Sequence, residues 1–194
     1  MLQENLPGTA ATFLTKRLYP SHILRAFKLK DGKIVTIRPI RPEDEPLLVR
    51  FHQTLSDRSV YFRYFHMIGL KQRVDHERLS HICHIDYATE MVLVGEYHDP
   101  QTGQPEVVGV GRLNKITGSN DGEFAILISD TCQGLGLGSE LLRKLIQFGR
   151  DEKLEAIIGE IHPGNLAMRT VCRKLGFAQT YSQEDHFLVA KLTL

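Results

Sequence analysis

Residues 123–142, EFAILISDTCQGLGLGSELL, decide the fold, because they run from a β-rich stretch through a glycine-rich turn into an amphipathic helix without interruption. Gly134, Gly136 and Gly138 permit positive φ and close approach of a ligand to the backbone. The first N–H groups of the helix that follows have no partner within it, and its dipole adds positive potential at the same place. Such a terminus suits a pyrophosphate. The spacing is not G-x-G-x-x-G, and no Gly-Lys-Ser/Thr ending follows, so the dinucleotide and P-loop readings are disfavoured.

A second stretch, Asn165 to Phe177 (NLAMRTVCRKLGF), is a capped amphipathic helix. Pro163 and Gly164 break the preceding strand, and Asn165 is a good N-cap. Met168, Val171, Cys172 and Leu175 recur at helical spacing, and Gly176 ends the helix. Taken together, and in this order, the two stretches resemble motifs A and B of the GNAT superfamily of acetyl-CoA-dependent N-acetyltransferases. Gln133, Gly136 and Gly138 match the Q/R-x-x-G-x-G/A pattern of motif A. The stretches IRPIRPEDEPLL, LSDRSVYFRYF and IDYATEMVLV extend the resemblance to the acetyltransferase domain of bacterial protein lysine acetyltransferases of the Pat type, over about residues 29–194. Such relatives often carry a large acyl-CoA-synthetase-like region, and none is expected within these 194 residues.

The resemblance implies an α/β fold with a mixed central sheet whose fourth and fifth strands are parallel, splay apart and are flanked by helices. It places the pantetheine arm of acetyl-CoA in the splay, against backbone groups of Ile126, Leu127 and Ile128, with Asn165 bonding the same arm. The turn Gln133, Gly134, Leu135, Gly136, Leu137, Gly138 and Ser139 would hold the pyrophosphate. Many relatives place a Tyr in motif B to protonate the departing thiolate. Here Cys172 stands at that position, which leaves Cys172, solvent or an unprotonated thiolate as the alternatives, while a cysteine on an apolar helix face is otherwise ordinary packing.

The chemistry required is attack by a neutral amine on a thioester, so an ammonium must first lose a proton. Glu123, at the start of the motif A strand, is the expected general base, acting directly or through one water with a pKa raised by partial burial. After Asp121-Gly122 a Glu can equally well solvate a turn, and it is the family match that favours the base. Negative charge developing on the thioester oxygen would meet a backbone N–H near Ile128.

Length and composition accord with one domain. The 194 residues are 42% hydrophobic, enough for a sizeable core. A net charge of +1 gives no global attraction to nucleic acid or an acidic membrane, and no apolar run is long enough to span a bilayer. Cys83, Cys132 and Cys172 form no disulfide framework, and no cationic, apolar leader opens the sequence, so a cytoplasmic location is expected. Residues 1–28 read as an N-terminal extension whose Phe13, Leu14, Leu18 and Ile23 dock on a domain at 29–194, with Tyr19-Pro-Ser-His as a linker remnant.

Between these landmarks the expected elements are a strand at 34–40 and helices near 43–55, 59–65 and 75–82. Strands at 91–97 and 107–115 follow, then a helix near 135–152, a strand at 156–161 and a last strand near 186–194. The helix after motif A turns Leu141, Leu142, Leu145, Ile146 and Phe148 to the sheet and leaves Arg143, Lys144 and Arg150 outward. His76, His81, Cys83 and His84 fit no tetrahedral ligand spacing, so no metal is expected. Tyr61 to Phe65 form an aromatic and basic cluster, and RNA stacking on it is disfavoured against an amphipathic helix with aromatics inward and arginines outward.

The expected function is acetyl-CoA-dependent acetylation of a primary amine, most readily a protein lysine. A small-molecule amine acceptor and a non-catalytic acyl-CoA-sensing module are the alternatives. A homodimer through the strands after Ile161 is compatible with the sequence, and no nucleic-acid partner is expected.

Overall fold

The computed structural model describes residue 20 and residues 23–194. The expected docking of Phe13, Leu14 and Leu18, and the reading of Tyr19, Ser21 and His22, lie outside the described residues. Eight strands form one sheet: β1 (Arg25–Lys28), β2 (Ile34–Pro39), β3 (Glu90–His98), β4 (Pro105–Lys115), β5 (Asp121–Ile128), β6 (Ala156–Ile161), β7 (Ala178–Tyr181) and β8 (Leu188–Thr193). Their order is β1-β2-β3-β4-β5-β6-β8-β7, and every neighbouring pair is antiparallel except β5 and β6. The last four residues of the stretch read as an extension are therefore an edge strand of the sheet, and Ile23 packs against the core.

Among the described residues six α-helices accompany the sheet: α1 (Glu45–Gln53), α2 (Asp57–Tyr64), α3 (Leu70–Arg73), α4 (His76–Cys83), α5 (Leu137–Asp151) and α6 (Leu166–Lys174). Strand β3 is buried on both sides, so it carries a continuous apolar run instead of an alternation. Met91 and Leu93 join the core with Leu137, Leu141, Leu142 and Leu145 of α5. Val92 and Val94 join a second core with Leu48 and Phe51 of α1 and Leu79 and Cys83 of α4. Helices thus cover both faces, as the alternation of elements predicts. Phe148 is only half-buried on α5, whereas Gly149, one residue on, is buried.

Several boundaries differ from the sequence reading for local reasons. Helix α5 begins at Leu137 because Gly136, its N-cap, holds φ at 100°. The expected 43–55 helix divides into a 3-10 turn at Pro42–Asp44 and α1. Strand β8 begins at Leu188 because His186 sits at φ 59° in the turn before it. Helix α3, a single turn of Leu70–Arg73, is too short to leave a periodic signal.

Candidate functional site

The site forms where the sheet stops being a sheet. Strands β5 and β6 pair only through Asp121↔Ala156, Gly122↔Ile157 and Glu123↔Ile158. Beyond Glu123 β5 keeps its ladder to β4 through Ile128, while β6 follows β8. The wedge between them frees one backbone edge of Ile126–Ile128, and those polar groups need partners. Just beyond the last pair of the ladder the Phe124 ring packs over Gly159, where an added Cβ would lie 2.3 Å from Phe124 Cε1.

A cavity of about 690 Å³ fills this wedge, within the usual range for a cofactor site. Of the residues singled out in the sequence, Ile126, Leu127, Ile128, Gln133, Gly134, Gly136, Gly138, Ser139 and Asn165 all line it. Gly134 and Gly136 have φ of 75° and 100°, which bends the chain into the N-terminus of α5. Gly138 does not share that conformation. It lies in the first helical turn against Ile126 and Ile128 and keeps the cavity wall flat.

Leu135, Leu137 and Cys172 do not line the cavity. Leu137 is fully buried and its side chain fills the space left by Gly95 and Gly109, so it holds the turn down from beneath. Leu135 is half-buried, and its carbonyl accepts from the Lys30 N–H at 3.1 Å. Cys172 is fully buried in the core of the molecule, and burial pushes its thiol up to about 12. Its burial off the cavity wall sets it apart from the thioester sulfur a donor would have to reach.

Two polar side chains brace the cradle. Gln133 Nε2 donates to Ser59 Oγ at 2.9 Å and to the Ile128 carbonyl at 3.2 Å. Asp130 accepts from the Ser56 N–H at 2.8 Å, Ser56 Oγ at 2.7 Å and Ser59 Oγ at 2.9 Å, tying the start of α2 to the end of β5. Burial alone would push the Asp130 carboxyl up, but these donors outweigh it and hold it below the usual range. Asn165 Oδ1 caps α6 by accepting from the Met168 N–H at 3.1 Å, which leaves its amide nitrogen without a partner among the described residues.

Sequence reasoning missed three basic residues on the cavity wall: Lys30 from the β1–β2 turn, Arg58 from α2 and Lys174 from α6. They come from distant parts of the chain, and no motif joins them. Together with the α5 N-terminus they present positive charge for phosphates. A long ligand carrying an amide-bearing arm and several phosphates fits this combination of free strand edge, glycine turn and cations.

Glu123 is exposed at the mouth of the splay and is not part of the cavity wall, contrary to the expected partial burial. Charge lies close to it on β6. Burial, then Glu123, then Asp185 push the Glu160 carboxyl above its ordinary value. Across the splay, the His162 ring stacks on Phe62 and meets Tyr61 edge-on, each at 5.3 Å between centroids. Among the described residues no group of three or more His, Cys, Asp or Glu side chains is placed to hold a metal. His76 is engaged with Glu45 at 2.7 Å and Cys83 is buried. No helix among them is long and apolar enough to cross a membrane.

Comparison with known proteins bears on the same residues. The family described as Acetyltransferase (GNAT) domain matches residues 35–178. An acetyltransferase of Pseudomonas aeruginosa is 32% identical over 157 residues, covering 81% of this chain and 82% of its own. The GNAT domain of S. lividans PAT superposes with a TM-score of 0.80 at 26% identity, over 91% of this chain and 100% of that one. RimJ of Mycobacterium smegmatis, solved with CoA-disulfide, shares the fold with a TM-score of 0.69 at 17% identity, over 91% of this chain and 90% of that one. With its splayed strands, glycine-rich turn and family match in agreement, the chain belongs to the GNAT acetyltransferases and uses acetyl-CoA.

Proposed function

We propose that the protein transfers acetyl directly to the ε-amine of a protein lysine, with Glu123 as the general base. The observation that carries this reading is the end of the β5–β6 ladder at Glu123. There the chain sets an exposed carboxylate beside the cavity that suits the acetyl donor. Acetyl-CoA, when bound, supplies the activated thioester.

The chain's own residues do the rest. The freed edge of Ile126–Ile128 orients the donor's arm, and the α5 N-terminus with Lys30, Arg58 and Lys174 anchors its phosphates. Glu123, Glu160 and Asp185 give the acceptor side a negative field that draws in a cationic amine. Glu123 takes the proton that keeps this amine from attacking. Cys172 gives no proton to the leaving sulfur, which departs as the thiolate or takes its proton from solvent. The resemblance to Pat-type domains, together with the likeness to the GNAT domain of S. lividans PAT, favours lysine over small amines.

The test is release of free CoA thiol from acetyl-CoA with lysine peptides, proteins and small amines as acceptors. Glu123→Gln is expected to lower kcat by roughly 10²–10⁴-fold while leaving CoA affinity nearly unchanged. Equal rates for the wild type and this variant would remove Glu123 from the role. Turnover of small amines alone would move the acceptor to that class. CoA binding without release from any acceptor would favour a sensor.

A further inference from the structure

A second, smaller cavity of about 60 Å³ lies on the α1 and α4 side of β5, lined among others by Arg63, Arg78, Arg112, His52, Tyr64 and Ala125. Three guanidinium groups around one small space need a reason, because like charges repel and burial strips their water. Arg63 and Arg78 both lie over the Tyr64 ring, at 4.9 Å and 5.1 Å from its centroid, and both line this cavity. Burial pulls the Arg63 guanidinium below its ordinary value. Tyr64 and Glu123 oppose that, while Arg112 and Arg78 add to it.

The charges are only partly compensated. Arg112 pairs with Glu90 through Nε and also donates from Nε to Asn114 Oδ1 at 3.0 Å. Arg78 has no ion-pair partner among the described residues, and its Nε is buried without a hydrogen bond. His52, also on the wall, is held neutral by its surroundings and supplies no negative charge, and no carboxylate is among the lining residues. The cavity therefore carries an excess of positive charge and at least one unused donor. Its size admits a carboxylate, and a guanidinium fork matches the two oxygens of a carboxylate.

Its position ties it to acetyl transfer. Arg63 and Leu127 line both this cavity and the large one, so the two cavities share a wall. Ala125, on its wall, projects from the same face of β5 as Glu123, about 7 Å along the strand. We propose that this arginine-lined cavity is an acceptor subsite, which holds a carboxylate lying within one side-chain length of the amine to be acetylated. That carboxylate belongs to an acidic residue flanking the target lysine or to the acceptor molecule itself. The inference rests on the transferase reading above and narrows its substrate class.

The test compares acceptors that differ in one charge: a lysine peptide flanked by Glu against the same peptide flanked by Gln, and free lysine against lysinamide. The wild type is expected to favour the carboxylate-bearing member of a pair by about tenfold in kcat/KM. In Arg78→Gln that ratio is expected to fall toward one, with Arg78→Lys between them. The peptide pair and the lysine pair separate a flanking residue from the molecule's own carboxylate. Circular dichroism establishes folding, and Arg63→Gln replaces Arg78→Gln if the latter does not fold. No preference in either pair, or a preference that survives both substitutions, overturns the proposal. If no acceptor releases CoA, the transferase reading fails on its own. Titration with sodium acetate against sodium chloride at equal ionic strength, followed by amide NMR, then decides the site. Saturable acetate shifts in the wild type that are lost in Arg78→Gln keep the carboxylate site, and their absence overturns it. Acetate that binds without competing with an active acceptor overturns the assignment to the acceptor.

Discussion

His52 is 4% exposed on α1, and its Nδ1 has no hydrogen-bond partner. Burial, then Arg73, then Arg78 push its imidazole down to about 4 from 6.5. The fold therefore requires the neutral ring, while the unfolded chain binds a proton as pH drops through 6.5. The stability associated with this group is complete above about pH 6.5 and is lost as pH falls through about 4, by as much as about 3 kcal/mol. Urea melts between pH 7.5 and 4 are expected to show this decline in the wild type. In His52→Leu the part of the decline between pH 6.5 and 5, above most carboxyl titrations, is expected to be absent, and an equal slope in both proteins would contradict it. Neither this burial nor the Arg63–Arg78–Arg112 group could be read from the sequence. A histidine and three arginines spread from residue 52 to residue 112 become neighbours only through packing.

At the scale of elements, α2 departs most from its sequence reading. The segment was expected to turn aromatics inward and arginines outward, yet Val60 is its one buried residue, Tyr61 is exposed and Arg63 turns in to line both cavities. Val60 enters the second core, with Tyr64 packed against its edge. The helix is held at its start by Asp130 and the Ser56 cap, and it borders the opening of the splay. The two elements of motif A, by contrast, were legible because each repeats an apolar period against the core. The splay was expected from family resemblance alone, and in this chain it begins where the Phe124 ring lies over Gly159. Gly159→Ala would force that ring or β6 to move and is expected to cost about 1–3 kcal/mol. Chemical denaturation checks it, and a change below about 0.5 kcal/mol would show that the ring yields freely.

At the scale of the whole molecule, Arg38 fastens the N-terminal half together. It is 2% exposed on β2 and donates to both Asp44 oxygens at 2.7 Å and to Glu96 on β3 at 2.5 and 3.0 Å, while Asp44 accepts from the Arg41 N–H at 2.8 Å. One guanidinium thus joins two strands to the turn that starts α1. Arg38→Met is expected to cost about 3–5 kcal/mol, because it leaves Asp44 buried without its cation, and the double substitution Arg38→Met with Asp44→Asn is expected to recover part of that loss. Thermal and urea melts of the three variants measure it, and additive losses would show that the pair is not coupled. The sequence by itself determined most of the strands and helices, though not β1 or α3, that a glycine turn feeds the helix 137–151, and which family the chain resembles, because local periodicity, capping and turn chemistry act over a few residues. Only the tertiary structure decided that Cys172 and Leu137 face the core, that Lys30, Arg58 and Lys174 share a wall, and that three arginines converge behind β5. Those facts depend on which distant faces meet, and burial and charge take effect only once they have met.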